Sequence, residues 1–328
     1  MQKRILGKDL EVSTVGLGCM GFTHAYGTAM DETEAARAIA EAVDMGYTFF
    51  DTAECYLGNR ADGTLAHNED LVGEALKPYR NRVKIATKCG VQHSPEGLVM
   101  DSRPETIRKA IEGSLMRLQT DHVKLYYQHR IDPKVAPEEV AGVMSDLIKE
   151  GKILHWGISE TDEEYLRRAH AVCPVTCVQN RLSMMARWHE SLFLVLEELN
   201  VGFVAFSPLA NGFLSDAFKK GETFEAGDFR NFMPQYKEEN YDANRELLIL
   251  VRKLAADKNA TPAQISLAWM INKKPYIVPI PGSRKTDRIR ENFESGNITL
   301  TVDEVAQIDQ RLDTIKTSGV FGGSPVKK

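Results

Sequence analysis

The pattern of apolar and polar positions alternates, along most of the chain, between one typical of strands and one typical of helices. Short runs of apolar and β-branched residues are typical of strands buried on both faces. Each run precedes a stretch in which apolar residues recur every three or four positions, which is typical of a helix with one buried face. The predicted strands span residues 15–18, 47–51, 83–88, 122–129, 153–159, 176–179, 202–207 and 276–280. The helices predicted after them span about 31–46, 68–77, 104–117, 137–150, 162–171, 189–199, 241–257 and 286–293.

Residues that favour helix ends support these boundaries. Pro104 and Pro137 stand at first helical positions, where the N–H that proline lacks would have no partner in the helix. Gly46 follows a helix end, where glycine readily adopts the left-handed conformation. Thr261-Pro-Ala-Gln264 is a capping-box pattern and begins an additional helix. A final helix is predicted at about 302–315.

The order of these elements predicts the fold. A hairpin over residues 3–14 comes first, and eight strand-then-helix units with short connections follow it. Eight parallel strands that close on one another form a (β/α)₈ TIM barrel. We expect the hairpin to plug the bottom of the barrel, one domain to span residues 1–328, and the Gly/Lys-rich tail after the last helix to be mobile.

A doubly wound open sheet is the alternative fold. Residues 16–21 form a G-x-G-x-x-G sequence after a strand, which is the dinucleotide-binding fingerprint of such sheets. That fingerprint requires the next helix to begin at the glycines, whereas about ten loop residues intervene here. We therefore interpret the match as accidental.

Composition excludes several classes of protein. The chain has 328 residues, a formal net charge of -5 and 43% hydrophobic residues, which argues against nucleic acid or an anionic membrane as the main partner. No apolar run approaches the roughly 20 residues that a membrane helix needs. The first residues lead into a glycine turn and not into the apolar stretch of a signal peptide. Five cysteines, an odd number, favour a reduced compartment, and we expect a cytoplasmic location and no metal site.

Chemistry-bearing residues follow the ends of the predicted strands. In a barrel these ends and the loops after them form one face, called the mouth below. Asp51 directly follows two phenylalanines of a buried strand, and an unpaired buried carboxylate is costly. Lys88 ends the next strand and is the natural cationic partner. The residues delivered to the mouth are Gly18, Asp51 with Tyr56, Lys88, His129, Ser159, Gln179, Phe206, Ser207 and Gly282.

Seven ordered stretches resemble the aldo-keto reductase superfamily over nearly the whole chain. They are residues 50–56, 68–69, 86–88, 127–130, 156–159, 207–209 with Gly212, and 280–285 continuing through 291–292. The resemblance implies a (β/α)₈ barrel that reduces small aldehydes, and ketones as a second class, to alcohols. The enzyme would be an NADP-dependent alcohol dehydrogenase in the reverse direction.

The resemblance places the family's catalytic tetrad on Asp51, Tyr56, Lys88 and His129. Carbonyl reduction needs a proton on the oxygen, and tyrosine, with a reference pKa of about 10, is a weak donor. A neighbouring ammonium favours the phenolate and lowers that pKa. The implied roles are therefore Tyr56 as general acid, Lys88 as the ammonium, Asp51 as its counter-ion, and His129 as the group that orients the carbonyl.

The same resemblance implies NADP(H) as the cofactor. Ser159 and Gln179 match the positions that bind the nicotinamide carboxamide, and Phe206 matches the aromatic residue that stacks on the nicotinamide ring. A Ser-Arg-Lys sequence that begins a helix is by itself a good phosphate site. The positions matched to the adenosine 2′-phosphate are Ser283, Arg284, Lys285, Arg288 and Asn292, and the other matched cofactor positions are Ser207, Leu209, Gly212, Gly282 and Glu291. Residues 228–230 resemble the segment that covers the cofactor.

Three features depart from the family pattern. Glu160 stands where asparagine is usual, and Lys124 stands where an acidic residue is common. Residues 57–67 form a longer, glycine-rich insertion that we expect to shape the substrate mouth. Three cysteines also lie beside proposed mouth residues, and we hypothesise that oxidants inhibit through one of them: Cys19, Cys55 and Cys89.

A functional alternative stays open within the same fold. The fold also serves as a channel-associated β-subunit, in which a bound cofactor can act as a redox sensor with little turnover. We expect the enzyme, because all four tetrad positions are present and no long extension precedes the predicted hairpin.

Overall fold

The structure, a computed structural model, describes residues 3–94 and 97–321. Its strands are β1 (Lys3–Leu6), β2 (Leu10–Ser13), β3 (Leu17–Gly18), β4 (Phe49–Asp51), β5 (Leu57–Asn59), β6 (Leu65–His67), β7 (Lys84–Cys89), β8 (Val91–Ser94), β9 (Gly97–Met100), β10 (Val123–Gln128), β11 (Ile153–Ser159), β12 (Cys177–Arg181), β13 (Gly202–Phe206) and β14 (Ile277–Pro279). Its helices are α1 (Glu32–Met45), α2 (Asn68–Leu76), α3 (Pro104–Leu118), α4 (Pro137–Lys149), α5 (Glu163–Val172), α6 (Phe193–Leu199), α7 (Glu238–Tyr241), α8 (Arg245–Asp257), α9 (Pro262–Lys273), α10 (Thr286–Glu294) and α11 (Val302–Thr314).

Eight of these strands pair side by side in one parallel sheet, in the order β3-β4-β7-β10-β11-β12-β13-β14. The sheet closes between its first and last strands, because the N–H of Gly16 donates to Pro279 O at 2.9 Å and that of Gly18 donates to Pro281 O at 3.2 Å. Closure brings the two backbones so near that a Cβ at Gly18 would lie 2.7 Å from Ile280 O. The fold is the predicted (β/α)₈ barrel, and the open-sheet alternative is wrong.

Alternate residues of each strand face opposite sides of the barrel wall, and both sides are buried. Phe49 and Tyr127 point inward, whereas Phe50 and Tyr126 pack outward beneath the helices. Burial on both sides explains why the strands read as continuous apolar runs. The inner cluster consists of Leu6, Leu10, Val12, Phe49, Ala86, Leu125, Tyr127, Cys177, Val204, Val278 and Ile280.

The hairpin β1–β2 closes the bottom of the barrel, as predicted, by adding Leu6, Leu10 and Val12 to the inner cluster. It lies close under β13, since a Cβ at Gly202 would be 2.5 Å from Leu6 Cδ2. Arg4 fastens the hairpin to the end of α9 by donating to the backbone oxygens of residues 271, 274 and 277. The hairpin therefore fills the interior at the end of the barrel away from the mouth.

The helix ends follow the predicted signals. The Asp31 side chain accepts the N–H groups of residues 33 and 34 at the start of α1, and Gly46 ends that helix at φ 111°. Capping boxes begin α9 at Thr261 and α11 at Thr301. Within residues 3–94 and 97–321, no helix has both the length and the apolar character needed to cross a bilayer.

The structure differs from the sequence prediction mainly in short elements. The hairpins β5–β6 and β8–β9 were not predicted, since their strands have only three or four residues and most of these residues are at least partly exposed. The predicted helix at 189–199 is a 3₁₀ turn over Trp188–Leu192 followed by α6, and the one at 241–257 begins only at Arg245. The last residues of the tail, 322–328, for which mobility was expected, lie outside the described residues.

The close packing of β11 on its neighbours yields a test of the fold. A Cβ at Gly157 would lie 2.5 Å from Cys177 O and 2.6 Å from the Tyr127 ring, so Gly157→Ala forces strands apart. We expect this variant to lower the free energy of unfolding by about 1–3 kcal/mol in chemical denaturation.

Gly142→Ala is the matched control for this substitution. Gly142 lies within α4, and a Cβ there meets nothing within 4 Å, so alanine should raise the free energy of unfolding by about 0.5–1 kcal/mol. Equal effects of the two substitutions would contradict the strand spacing described above.

Candidate active site

A buried ion pair lies at the mouth where β4 and β7 end. The Lys88 ammonium donates to Asp51 Oδ1 at 2.5 Å and to Thr52 O at 2.7 Å, and both charged residues are buried. The Gln179 amide donates to the other Asp51 oxygen at 2.7 Å. Asp51 therefore has the cationic partner that the sequence predicted, and each of its oxygens accepts a hydrogen bond.

Tyr56 completes this arrangement from the loop after β4. Lys88 Nζ donates to the Tyr56 hydroxyl at 3.2 Å and lies 4.8 Å from the centre of its ring. Asn68, the first residue of α2, fixes the loop: its N–H donates to Tyr56 O at 3.0 Å and its side chain accepts the Thr52 hydroxyl at 2.6 Å. The phenol is thereby held between the ammonium and the open side of the mouth.

Burial and charge act on these groups in opposite directions. Burial alone would lower the pKa of Lys88, but Asp51 and Tyr56 outweigh it and raise that pKa, so the ammonium stays charged. Burial raises the pKa of Tyr56 above its ordinary value, and Lys88 opposes that rise without overcoming it. Lys88 thus acts on the Tyr56 pKa in the expected direction, and burial acts against it.

His129 stands beside Tyr56 as a neutral imidazole. Its ring meets the Tyr56 ring edge-on with 5.7 Å between centroids, and its Nδ1 lies 3.4 Å from Cys55 Sγ. Burial, with Arg130 and Lys88 nearby, holds the pKa of His129 well below its ordinary range. The structure thus brings all four tetrad positions together.

The three positions matched to the nicotinamide lie on adjacent strands, with Ser159 and Gln179 level with each other and Phe206 two residues nearer the opening. Ser159 pairs with Gln179 across β11 and β12, and Phe206 pairs with Arg181 across β12 and β13. Each has a partner within the protein: Ser159 Oγ accepts from Arg130 at 3.1 Å, and the Gln179 amide donates to Asp51. The Phe206 ring faces the Arg181 guanidinium, with 4.8 Å from Cζ to its centroid.

The loop after β13 has an uncommon backbone. Ser207 and two residues near it, Ala210 and Asn211, have φ between 48° and 60°, and Gly212 has φ 98°. Left-handed conformations cost non-glycine residues about 1 kcal/mol or more, and such strain clusters at ligand sites. Leu209 precedes the 3₁₀ turn of this loop.

A basic cluster surrounds the start of α10, where the 2′-phosphate positions were predicted. Arg284 donates from Nε to Gly21 O at 2.5 Å and from Nη1 to Thr28 O at 2.9 Å, while its buried Nη2 has no hydrogen-bond partner. The exposed Lys285 is the N-cap residue and no side chain caps the helix. The remaining predicted positions lie beside them: Gly282 against Gly18, Ser283 accepting from the Lys285 N–H, Arg288 paired with Glu291 at 2.7 Å, and a buried Asn292.

Residues 228–230, which resemble the family's cofactor-covering segment, contact the loop after β3. Asp228 is buried and pairs with Arg230 at 2.5 Å, and the Arg230 guanidinium lies 4.2 Å from the centre of the Phe224 ring. The backbone of Asp228 also forms an isolated antiparallel β-bridge with Tyr26, in the loop after β3. The segment that resembles the family's cofactor cover thus contacts the same loop that Arg284 binds.

The mouth contains three candidate residues that the sequence analysis missed. His24 stacks on the Tyr56 ring at 5.9 Å, and its Nδ1 lies 2.6 Å from Leu57 O. Arg130 and Arg181 both lie near the Phe206 ring. The sequence did contain a signal for Arg181, which stands two residues after Gln179 and so lies on the same face of β12. His24 lies in a loop, where no periodic pattern identifies it.

The structure explains separately the three features that depart from the family pattern. Glu160 adopts φ 54° and accepts the Arg181 N–H at 3.0 Å, so its carboxylate closes the turn after β11. Lys124 lies at the amino end of β10, 2.7 Å from His122 Nε2 and away from the mouth. The insertion at 57–67 forms the hairpin β5–β6, which begins one residue after Tyr56.

The surroundings of the three thiols argue against the hypothesis that oxidants inhibit through one of them. All three are buried. Burial raises the pKa of Cys55 to about 12 and raises the pKa values of Cys19 and Cys89 as well, and Lys88 does not reverse the rise for Cys55 or Cys19. A reactive thiolate is therefore not favoured at any of them.

Comparison with known proteins agrees with this geometry. The sequence profile of the Aldo/keto reductase family matches residues 14–313. A protein named "Probable aldo-keto reductase 1" from Glycine max is 36% identical over 321 residues, covering 96% of this chain and 89% of its own. An aldo-keto reductase of Schizosaccharomyces pombe whose name specifies NADP(+) is 34% identical over 324 residues, covering 96% and 93%. The structure of a glycerol dehydrogenase from Gluconobacter oxydans superposes with a TM-score of 0.84 at 26% identity, covering 98% of both chains.

Glu54 provides a pH-dependent test of the mouth. Burial raises the pKa of its carboxyl from 4.5 to about 7, while the carboxylate accepts the Gly90 N–H at 2.9 Å. A pKa raised on folding means that ionisation of Glu54 destabilises the folded state as pH rises from about 4.5 to 7. Glu54→Gln keeps an oxygen acceptor and cannot ionise.

We expect Glu54→Gln and the unchanged protein to have similar unfolding free energies near pH 5. Above pH 7 the variant should be more stable by about 1–3 kcal/mol, which allows for the partial exposure of this side chain. Urea denaturation across pH 5–8 measures the difference. A constant difference at every pH would show that Glu54 does not titrate in this range.

Proposed function

The chain belongs to the aldo/keto reductase family, and from that premise we propose that it reduces aldehydes, with ketones as a second class, to alcohols with NADPH. The observation that carries this proposal is the Lys88 ammonium, which contacts both Asp51 and the Tyr56 hydroxyl at the mouth of the barrel.

Tyr56 is the proposed proton donor. NADPH, when bound, supplies a hydride to the carbonyl carbon. The negative charge that develops on the carbonyl oxygen is met by the Tyr56 O–H, which gives up its proton and becomes a phenolate beside Lys88. Because Lys88 stays charged, the phenolate forms next to a cation, and positioned proton donors of this kind contribute about 10²–10⁴-fold to rate.

His129 is proposed to orient the carbonyl oxygen. A neutral imidazole has one N–H donor and can hydrogen-bond that oxygen without competing with Tyr56 for the proton. The low pKa of His129 supports this role, because the ring stays neutral at physiological pH. Its edge-on contact with Tyr56 keeps the two donors side by side.

The residues present fit an NADP(H) molecule at the positions predicted for it. An unpartnered Arg284 nitrogen, the exposed Lys285 and the uncapped N-terminus of α10 together suit a phosphate group. Ser159, Gln179 and Phe206 would hold the nicotinamide end, and the left-handed loop from Ser207 to Gly212 would hold the part between. The remaining proposed cofactor residues are Gly282, Ser283, Arg288, Glu291 and Asn292.

Removal of the Tyr56 hydroxyl tests the mechanism. We expect Tyr56→Phe to lower kcat for aldehyde reduction by about 10²–10⁴-fold, while the NADPH dissociation constant changes less than twofold. Tyr79→Phe, which removes a hydroxyl from the short helix after α2, is the control and should retain full activity.

Two outcomes of that experiment carry opposite meanings. Full activity in Tyr56→Phe would refute the assignment of the general acid. If the unchanged protein binds NADPH tightly yet reduces no member of an aldehyde panel, the chain is instead a cofactor-binding module of the redox-sensing kind.

Truncation of Arg284 tests the choice of cofactor. Arg284→Ala should weaken NADPH binding by about 10- to 100-fold, because a charge-assisted phosphate contact is lost. Any disturbance of the loop that Arg284 binds would act on both cofactors, so NADH binding should weaken much less. Arg290→Ala, an exposed position on α10, is the control. Equal weakening of NADPH and NADH would disprove the 2′-phosphate assignment.

A further inference from the structure

Arg181 is a buried guanidinium with an incomplete set of partners. It ends β12, and its side chain is 4% exposed. Its Nε and Nη1 are buried and make no hydrogen bond. Leaving a buried charged donor unpaired costs free energy, so a native protein rarely retains one without a reason.

The surroundings of Arg181 do not neutralise it. Burial lowers its pKa to about 10, and Glu160 only partly opposes this. Glu160 already accepts the backbone N–H of Arg181 and lies 3.6 Å from His189. Among the residues that the structure describes, no carboxylate oxygen lies within 4.0 Å of the Arg181 guanidinium. The nearby Arg130 adds a second positive charge, with its Cζ 5.8 Å from the centre of the same Phe206 ring.

The position of the guanidinium places it inside the mouth. Arg181 follows Gln179 by two residues, so it lies on the same face of the strand and about 7 Å further toward the opening. Gln179 contacts Asp51, the counter-ion of Lys88. Arg181 also interacts electrostatically with Tyr26, from the loop after β3.

We propose that Arg181, with Arg130 beside it, binds an oxyanion in the mouth. The chemistry is a carboxylate or phosphate group that accepts hydrogen bonds from the free nitrogens of the guanidinium. Two ligands can present that group: the pyrophosphate of the dinucleotide, or an acidic substituent on the carbonyl substrate. The inference rests on the proposed function for the identity of these ligands, and on the unpartnered guanidinium for the site.

Arg181→Met tests the site by removing the charge while retaining an apolar side chain of similar length. NADPH binding is measured by fluorescence titration without substrate. Benzoate binding is measured by calorimetry with the cofactor present. Steady-state kinetics compare benzaldehyde with 4-carboxybenzaldehyde, which differ by one carboxylate. Arg187→Met is the control, because Arg187 is paired with Glu190 and Asp313 and should change neither form of binding.

The readouts separate the two sources. If the pyrophosphate is the ligand, the NADPH dissociation constant rises about 10- to 100-fold, and the ratio of KM values for the two aldehydes stays constant. If the substrate supplies the anion, NADPH binding changes less than twofold, whereas benzoate binding weakens and KM for the acid rises at least tenfold relative to benzaldehyde. Changes below twofold in every readout overturn the proposal.

Folding and turnover are checked independently. Because an unpaired buried charge is removed, the thermal midpoint of Arg181→Met should equal or exceed that of the unchanged protein. If neither Arg181→Met nor Arg181→Gln folds, the guanidinium is structural and the proposal is wrong. If the unchanged protein reduces no aldehyde, the proposed function fails, but NADPH and benzoate titrations still decide whether Arg181 binds an anion.

Discussion

The mouth of this barrel depends on one buried ion pair. Lys88 is fully buried and Asp51 nearly so, and neither charge would be tolerated there without the other. Such pairs contribute little net stability, since the desolvation of both ions offsets their attraction, whereas removing one partner costs about 3–5 kcal/mol. The effect of the pair is therefore positional. It holds the Lys88 ammonium against the Tyr56 hydroxyl, which is carried by the loop after β4.

The surrounding residues support this pair in two layers. Gln179 donates a hydrogen bond to the second oxygen of Asp51, and the backbone oxygen of Thr52 accepts one from Lys88. Behind them, Asn68 connects the loop after β4 to α2, and the buried Glu69 next to it is met by Arg117 at 2.7 Å. Buried polar networks rigidify a site when every member is satisfied. Arg181 differs from the members of this network, because two of its buried nitrogens have no hydrogen-bond partner. This difference is why we propose that it binds a ligand.

The sequence predicted the barrel and the pairing of Asp51 with Lys88 because both follow from local rules, whereas the tetrad roles of Tyr56 and His129 came from the family resemblance. Strand period, helix caps and the cost of an unpaired Asp51 are properties of short segments, and together they located Lys88. The pKa of Tyr56 could not be predicted in the same way, since depth of burial is set by loops far away in the chain. The short hairpin at 57–67 lacks the alternation of apolar and polar residues that predicts a strand. For Arg181, its position two residues after Gln179 predicts the face of the strand on which it lies, but not whether a carboxylate pairs with it.

The closure of the barrel has a consequence for how the chain is made. The hydrogen bonds that join β3 to β14 connect residues 16–18 with 279–281, so the two ends of the wall can meet only after residue 281 has been made. During synthesis the growing sheet carries two unpaired edges, and unpaired edges invite association with other chains. A ribosome that pauses before residue 277 would hold a nascent chain whose sheet has no final strand. The synthesis of β14 is therefore the step at which the sheet loses its two unpaired edges and this source of aggregation is removed.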